Sequence, residues 1–264
     1  MNGKKVTVTM NKLPRIQRVH SKWNKTRILL VKKGLKNYVP DTRKLSRATL
    51  ETMLNLYQMV YVKPDHGTYG KGVMRVEKEL TNQGVRYAYQ AGETRRGFTT
   101  LDSLYASLQS KKTKRIYLIQ KGIHLLKYNK RRFDIRIMVQ INPQGRWEST
   151  AWIGRVAAPR KIVTNYHSGG TPTAVETLLK HYMSPSDIKA FHQKLNRLGV
   201  DTARQFARKY PRVKEIGLDI ALDRKFHPWI LEVNTKPDPY IFRKLKDKSI
   251  ARKVYRYAKA YGGV

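Results

Sequence analysis

The chain has 264 residues, 40% of them hydrophobic, with 55 Lys+Arg against 18 Asp+Glu, a formal net charge of +37 and no cysteine. Lack of Cys excludes disulfides, thiolate metal sites and cysteine nucleophiles, and no apolar run reaches the length of a transmembrane helix or signal-peptide core. A chain of this size buries a real core in one or two domains; a soluble cytoplasmic protein whose field attracts polyanions is expected.

Residues 1–40 hold eleven Lys/Arg and no acid. Residues 6–10 (VTVTM) alternate as a strand does, and 27–31 (RILLV) read as a second short strand. Pro40-Asp41-Thr42 marks a turn, after which Leu45, Ala48, Leu50, Met53, Leu54 and Tyr57 recur at helical spacing. A strand over 59–63 is stopped by Pro64 and followed by a Gly-rich loop, HGTYGKG (66–72). Strands are expected at 72–76 and 85–89, a helix at 100–110 and a buried strand at 116–120. FDIRIMVQI (133–141) is strongly β; Asn142-Pro143-Gln144-Gly145 turns the chain, and 146–157 return as a strand. A polar loop at 161–172 precedes helices at 174–180 and 186–210, the second broken near Gly199. Strands at 213–222 and 229–233 are joined by a short turn, and 241–261 form a basic helical tail. Antiparallel hairpins and helices in separate blocks give an α+β class.

The last hairpin carries the sharpest chemistry. Asp219 lies on its first strand, and Glu232 and Asn234, two apart, share a face of the second. Two carboxylates and an amide oxygen are hard ligands, suited to Mg²⁺, which takes few protein ligands and completes its shell with phosphate oxygens. The alternative is an amphipathic hairpin with solvated acids; against it, Glu232 interrupts the apolar run Trp229-Ile230-Leu231-x-Val233. Gly67, Gly70 and Gly72 lie between two strands, so the loop is a flap whose N–H groups can wrap a phosphate, and Lys63 ends the strand before it. Asp134 and Arg136 share a face of the FDIR strand, with Arg155 on its antiparallel neighbour. They either form an internal Asp134–Arg136 ion pair or hold anionic oxygens opposite the metal ligands.

In this order the pieces resemble the ATP-grasp fold, two α+β subdomains that grip ATP between them. YVPDTRKLS (38–46), YVKPDHGTYGKGV (61–73), QKGI (120–123), RRFDIRIMVQ (131–140), WIGRV (152–156), NYHSGGTP (165–172), EIGLDIALD (215–223) and ILEVNTKPD (230–238) are similar to the YheC/YheD family of endospore-coat-associated ATP-grasp proteins. The resemblance implies a short basic segment at 1–40 in place of a substrate domain, subdomains at 41–118 and 119–247, and a basic helical tail at 248–264. It implies ATP and Mg²⁺ as cofactors. Lys63 would contact phosphate, Gly67, Thr68, Tyr69, Gly70, Lys71 and Gly72 would form the flap, and Gln120, Lys121, Gly122 and Ile123 the hinge against adenine. Arg136 and Arg155 would hold γ-phosphate and acyl-phosphate oxygens, Asp219, Glu232 and Asn234 the metal. Asn165, Ser168, Gly169 and Gly170 would face the acceptor. Arg43 or Lys44 would supply a second phosphate cation. An ATP-dependent carboxylate–amine ligase is expected, with an ATP-binding coat scaffold or a nucleic-acid-binding protein as alternatives. The partner expected is an acidic protein or polymer of the spore coat, captured by residues 1–40.

Overall fold

The structure, a computed structural model, describes residues 15–113 and 115–264, so the strand expected at 6–10 lies outside the described residues. Two helices come first, α1 (Lys22–Leu30) and α2 (Lys33–Lys36). The first lobe follows: β1 (Thr42–Lys44), α3 (Arg47–Tyr57), β2 (Met59–Pro64), β3 (Met74–Thr81), β4 (Gly84–Ala91), β5 (Thr94–Phe98), α4 (Leu101–Lys111) and β6 (Tyr117–Lys121). Its strands form one antiparallel sheet in the order β1-β6-β2-β3-β4-β5. Leu50, Met53 and Leu54 of α3 and Leu104 and Leu108 of α4 bury against Val60, Val62, Val76 and Tyr89 on one face. The other face carries Lys63, since alternate strand residues point to opposite sides.

The second lobe contains β7 (Lys127–Tyr128), β8 (Arg131–Ile141), β9 (Trp147–Val156), β10 (Thr171–Thr173), α5 (Val175–Leu179), α6 (Pro185–Lys209), β11 (Glu215–Leu222), β12 (Pro228–Asn234) and α7 (Lys248–Ala260). Its main sheet runs β10-β9-β8-β11-β12. Ile135, Ile137 and Val139 of β8 and Ile216, Leu218 and Ile220 of β11 pack with Leu195 and Phe206 of α6. The alternating residues form the opposite face, and it is divided. At one end lie Asp134, Arg136, Arg155 and Asp219; at the other, Met138, Ala151 and Ile153 are covered by Phe242, Leu245 and Val254.

The α+β class holds, with three local departures. Residues 27–31 are not a strand: Ile28 and Leu29, adjacent in sequence, are both buried in the second lobe's core, which strand alternation forbids and a helix allows. Together with Val19, Leu35 and Val39, they place much of the basic N-terminal region inside the fold. Gly199 does not break α6; a Cβ there would stand 2.9 Å from Val139 Cγ2, so the glycine lets helix and sheet approach. The C-terminal helical stretch divides into a 3₁₀ turn (Tyr240–Lys244) and α7.

Residues 29 and 31 discriminate helix from strand. Leu29 is 2% exposed and Val31 78% exposed, although a strand would put them on one face. Leu29→Ala should cost about 2–5 kcal/mol of unfolding free energy, and Val31→Ala less than about 0.5. Comparable losses in denaturant titrations of the two variants would contradict the helix.

Candidate functional site

The two lobes face each other across a cleft in which most of the expected site residues meet. Asp219 and Glu232 are directly opposed across β11 and β12, and Asn234 pairs with Gly217, so all three share the cleft face. A bulge at Leu231 shifts the register just there, and its carbonyl accepts a bond from Lys63 Nζ at 3.1 Å.

The guanidiniums are organised crosswise. Arg155 is bidentate on Asp134 at 2.9 and 2.5 Å, and Arg136 Nε donates to Asp219 Oδ1 at 2.5 Å. Arg155 Nη2 also lies 3.0 Å from Asp219 Oδ1. The Asp134–Arg136 pair allowed by the sequence is therefore replaced by Asp134–Arg155 and Arg136–Asp219. Burial opposes ionisation of Asp219, yet Arg136 and Arg155 hold its carboxyl well below the usual carboxylate range. Burial likewise works against the charge of Arg155, and Asp134 and Asp219 overcome it and raise its pKa.

Two cations missed by the sequence reading complete the cleft. Lys22 and Lys25, one turn apart on α1, lie 3.6 and 3.3 Å from Glu232 Oε1. Arg43 instead pairs with Asp41 at 2.8 Å. The helix is fixed at its start by Asp65, just beyond Lys63, which accepts bonds from Trp23 N at 2.7 Å and Ser21 Oγ at 3.1 Å. Ser21 itself caps α1, and the anion stands at the positive helix end. Burial lowers Lys25's pKa against the pull of Glu232, and the two lysines hold Glu232 below its ordinary value despite its own burial. The signal available was a Ser N-cap followed by Lys-x-x-Lys, hidden by reading the next residues as β.

Lys63 is buried, and its Nζ also donates to Gln120 Oε1 at 2.9 Å, while Gln120 Nε2 donates to Thr42 Oγ1 at 2.9 Å. Gln120 thus orients the lysine. Lys121 turns aside, its ammonium 5.1 and 4.9 Å from the Tyr57 and Trp229 ring centroids. Gly122 N donates to Met59 O at 2.9 Å, and a Cβ on Gly122 would sit 1.9 Å from Met59 Sδ, so only glycine fits. Ile123 is buried beside it.

The Gly-rich loop does connect two strands, β2 and β3. Tyr69, Gly70 and Gly72 have positive φ, and Lys71 N donates to Thr68 O at 3.2 Å. Lys22 Nζ donates to Gly67 O at 2.7 Å, tying the flap to α1. From the second lobe, Ser168 Oγ donates to Tyr69 O at 2.8 Å and the His167 ring lies 4.3 Å from that of Tyr69. Asn165 Oδ1 lies 3.1 Å from where a Gly70 Cβ would stand. Lys71 is exposed and takes no part in the buried cluster. A cavity of about 170 Å³ separates flap from loop; a larger one, about 640 Å³, lies among Glu79, Arg86 and Arg95 of the outer strands and Ser103 of α4.

The donor set fits a Mg²⁺ ion. Lys22 and Lys25 take Glu232 Oε1, and Arg136 and Arg155 take Asp219 Oδ1, leaving Oε2, Oδ2 and the Asn234 amide unbonded among the described residues. No three His, Asp or Glu side chains gather among the described residues, so the protein would offer such an ion few ligands of its own. Five cations (Lys22, Lys25, Lys63, Arg136, Arg155) face three carboxylates (Asp134, Asp219, Glu232), and an anionic polyphosphate would neutralise the surplus.

A flap between strands, a lysine before it and a facing Asp/Glu pair between two α+β lobes are what the resemblance to the ATP-grasp fold implied. The chain belongs to the family described as YheC/D-like ATP-grasp, whose model matches residues 16–263. It is 26% identical over 230 residues to the endospore coat-associated protein YheD of Bacillus subtilis (strain 168), covering 84% of this chain and 49% of that protein. It is 22% identical over 218 residues to the endospore coat-associated protein YheC of the same organism, covering 82% of this chain and 59% of that protein. The chain thus spans roughly half the length of these relatives. Among solved structures, N5-carboxyaminoimidazole synthase from Aspergillus clavatus, in complex with ADP, aligns at TM-score 0.49 and 13% identity over 83% of this chain and 45% of that one. The corresponding synthetase from Thermotoga maritima aligns at 0.49 and 12% over 92% and 49%.

Burial pushes the Lys63 ammonium down to about 8. A phosphate at Nζ would favour the charged form, so nucleotide binding above that pH would take up a proton. Mg·ATP affinity should be flat below pH 8 and weaken by up to about tenfold per unit above it, while Lys63→Arg, which cannot deprotonate, stays flat. Calorimetry from pH 7 to 9.5 checks this; a flat wild type would contradict phosphate contact by Lys63.

Because Lys22 and Lys25 stand in the cleft, residues 1–25 cannot be removed without touching it. Lys22→Met with Lys25→Met should weaken Mg·ATP by about tenfold per lysine in a protein that still unfolds cooperatively. Unchanged affinity would assign the lysines to structure alone.

Proposed function

We propose that the chain binds ATP and Mg²⁺ and works as an ATP-dependent carboxylate–amine ligase. The observation that carries this is the convergence, beneath one flap, of Asp219, Glu232 and Asn234 with Lys22, Lys25, Lys63, Arg136 and Arg155. Mg²⁺, when bound, neutralises phosphate charge and draws electrons from the phosphoryl group. Asp219 Oδ2, Glu232 Oε2 and the Asn234 amide oxygen would hold it. Lys63 and the flap would orient the triphosphate, with adenine against 120–123. The acceptor carboxylate attacks the γ-phosphorus, the bond to the β-phosphate oxygen breaks, and an acyl phosphate and ADP result. An amine then attacks the acyl carbon, the bond from that carbon to the phosphate oxygen breaks, and phosphate leaves with the proton the nitrogen gives up, giving an amide. Arg136 and Arg155, locked by Asp134 and Asp219, present fixed positive charge where anionic oxygens develop, and no protein nucleophile is needed. Asn165 and Ser168 border the flap, and with Gly169 and Gly170 they are proposed to face the acceptor. The setting proposed is that of the two relatives, the endospore coat, with an acidic protein or polymer as acceptor. No helix among the described residues is long and apolar enough to cross a membrane.

One observation favours a second reading, an ATP-binding coat scaffold without turnover: Asp219 is already held by two guanidiniums. Hydroxylamine separates the readings, since it traps acyl phosphates as hydroxamates. With ATP, Mg²⁺ and carboxylate-rich polymers, the ligase should yield hydroxamate and ADP in equal amounts. Glu232→Gln should lower both by at least about a hundredfold while remaining folded. Nucleotide binding without ADP release from any acceptor would favour the scaffold.

A further inference from the structure

The last helix presents a face that no described residue covers. α7 buries Val254, Tyr257 and Ala258, while Lys248, Arg252, Tyr255, Arg256 and Lys259 follow the helical repeat along the opposite, exposed side. Residues 240–264 hold eight Lys/Arg and one acid, Asp247, which is occupied capping α7. The ion pair that α7 makes among the described residues is Lys253 with Glu148, on its inner side; Arg252, Arg256 and Lys259 make none there. Residues 1–14 contain no acid that could cover them.

The stripe continues toward the cleft. Tyr255 and Tyr240, 41% and 47% exposed, have ring centroids 6.4 Å apart, and the Arg243 guanidinium lies 4.7 Å from the Tyr240 centroid. The turn bearing Tyr240 packs on β9 and β10. Pro237 stands beside Gly217 and Arg136: a Cβ on that glycine would lie 2.8 Å from Pro237 Cβ and 3.2 Å from Arg136 Cδ. Three residues span at most about 10 Å, so the stripe begins within that reach of Pro237, which borders Arg136.

We propose that Arg243, Arg252, Arg256 and Lys259, with Tyr240 and Tyr255, dock an extended acidic polypeptide beside the cleft. That one of its carboxylates then enters the cleft rests on the ligase reading; the docking does not. Cations four residues apart on a helix repeat every ~6 Å along its axis, and same-face side chains of an extended chain every ~6.6 Å. Guanidiniums grip carboxylates bidentately and tyrosine hydroxyls can donate to them. The aromatics do not suit nucleobases: Tyr240 and Tyr255 already pack on each other at 44°, and Arg243 caps Tyr240.

The whole chain is basic, so the test compares equal charge removal at two places. Poly-L-glutamate of about 20 residues is titrated by calorimetry at about 50 and 200 mM salt into the full chain, a stripe variant and a control. The stripe variant is Arg252→Gln, Arg256→Gln, Lys259→Gln; the control is Lys189→Gln, Lys194→Gln, Arg197→Gln on the exposed side of α6. The stripe variant should bind at least about tenfold more weakly with a flatter salt dependence, and the control within about twofold of wild type. An oligothymidylate of equal charge should bind wild type less tightly than polyglutamate. Equal losses in both variants would reduce the stripe to part of a diffuse field and overturn the proposal; so would an oligothymidylate that binds more tightly and loses affinity in the stripe variant. The shift in melting temperature with Mg·ATP is recorded for all three proteins. If it is present while polyglutamate binding is indifferent to the stripe, docking falls and the cleft stands. If it is absent while the stripe binds, carboxylate delivery falls and docking stands.

Discussion

Four charged side chains share one face of the second lobe's sheet, Asp134, Arg136, Arg155 and Asp219, all buried. Taking such charges from water costs several kcal/mol each unless every one is met by a partner. The antiparallel register supplies the partners, setting Arg155 opposite Asp134 and Asp219 opposite Arg136. Once these pairs lock, each guanidinium points one way and the free oxygen of Asp219 is left beside Glu232. The rest of the cleft is arranged around that fixed charge: α1 brings Lys22 and Lys25 onto Glu232, Gln120 aims Lys63, and the flap closes against 165–168. The sheet thus fixes, at folding, the orientation that the proposed phosphate chemistry would use.

Strand-borne parts of this site were legible in the sequence because period-two patterns are local. Glu232 and Asn234 share a face by spacing alone, and the structure sets Asp219 opposite Glu232 on that same face. The Gly-rich flap was readable because a strand followed it instead of a helix. Which Asp pairs with which Arg was not readable, since register between β8, β9 and β11 is set by whole-sheet packing and by the bulge between β8 and β9 next to Met138.

The largest miss lies at the N-terminus. RILLV has β-branched and aliphatic residues that suit a buried strand as well as a buried helix, and a short apolar run cannot be told apart by periodicity. The deciding information is the Ser21 cap and its tie to Asp65, a contact between residues 44 positions apart. With the helix misread, its lysines looked like part of a diffuse basic segment instead of a cleft wall. Gly199 shows the converse: a helix-weakening residue kept because β8 approaches closely.

The central claim is that these paired buried charges form a Mg²⁺–polyphosphate site. Calorimetric titration of ATP into the full chain, with Mg²⁺ and again with Mg²⁺ chelated, tests it most directly. The account predicts one nucleotide per chain, bound far more tightly with Mg²⁺, with the Mg²⁺ dependence gone in Glu232→Gln. ATP that binds equally well without the metal, or a Glu232→Gln protein whose Mg²⁺ dependence matches wild type, would contradict it.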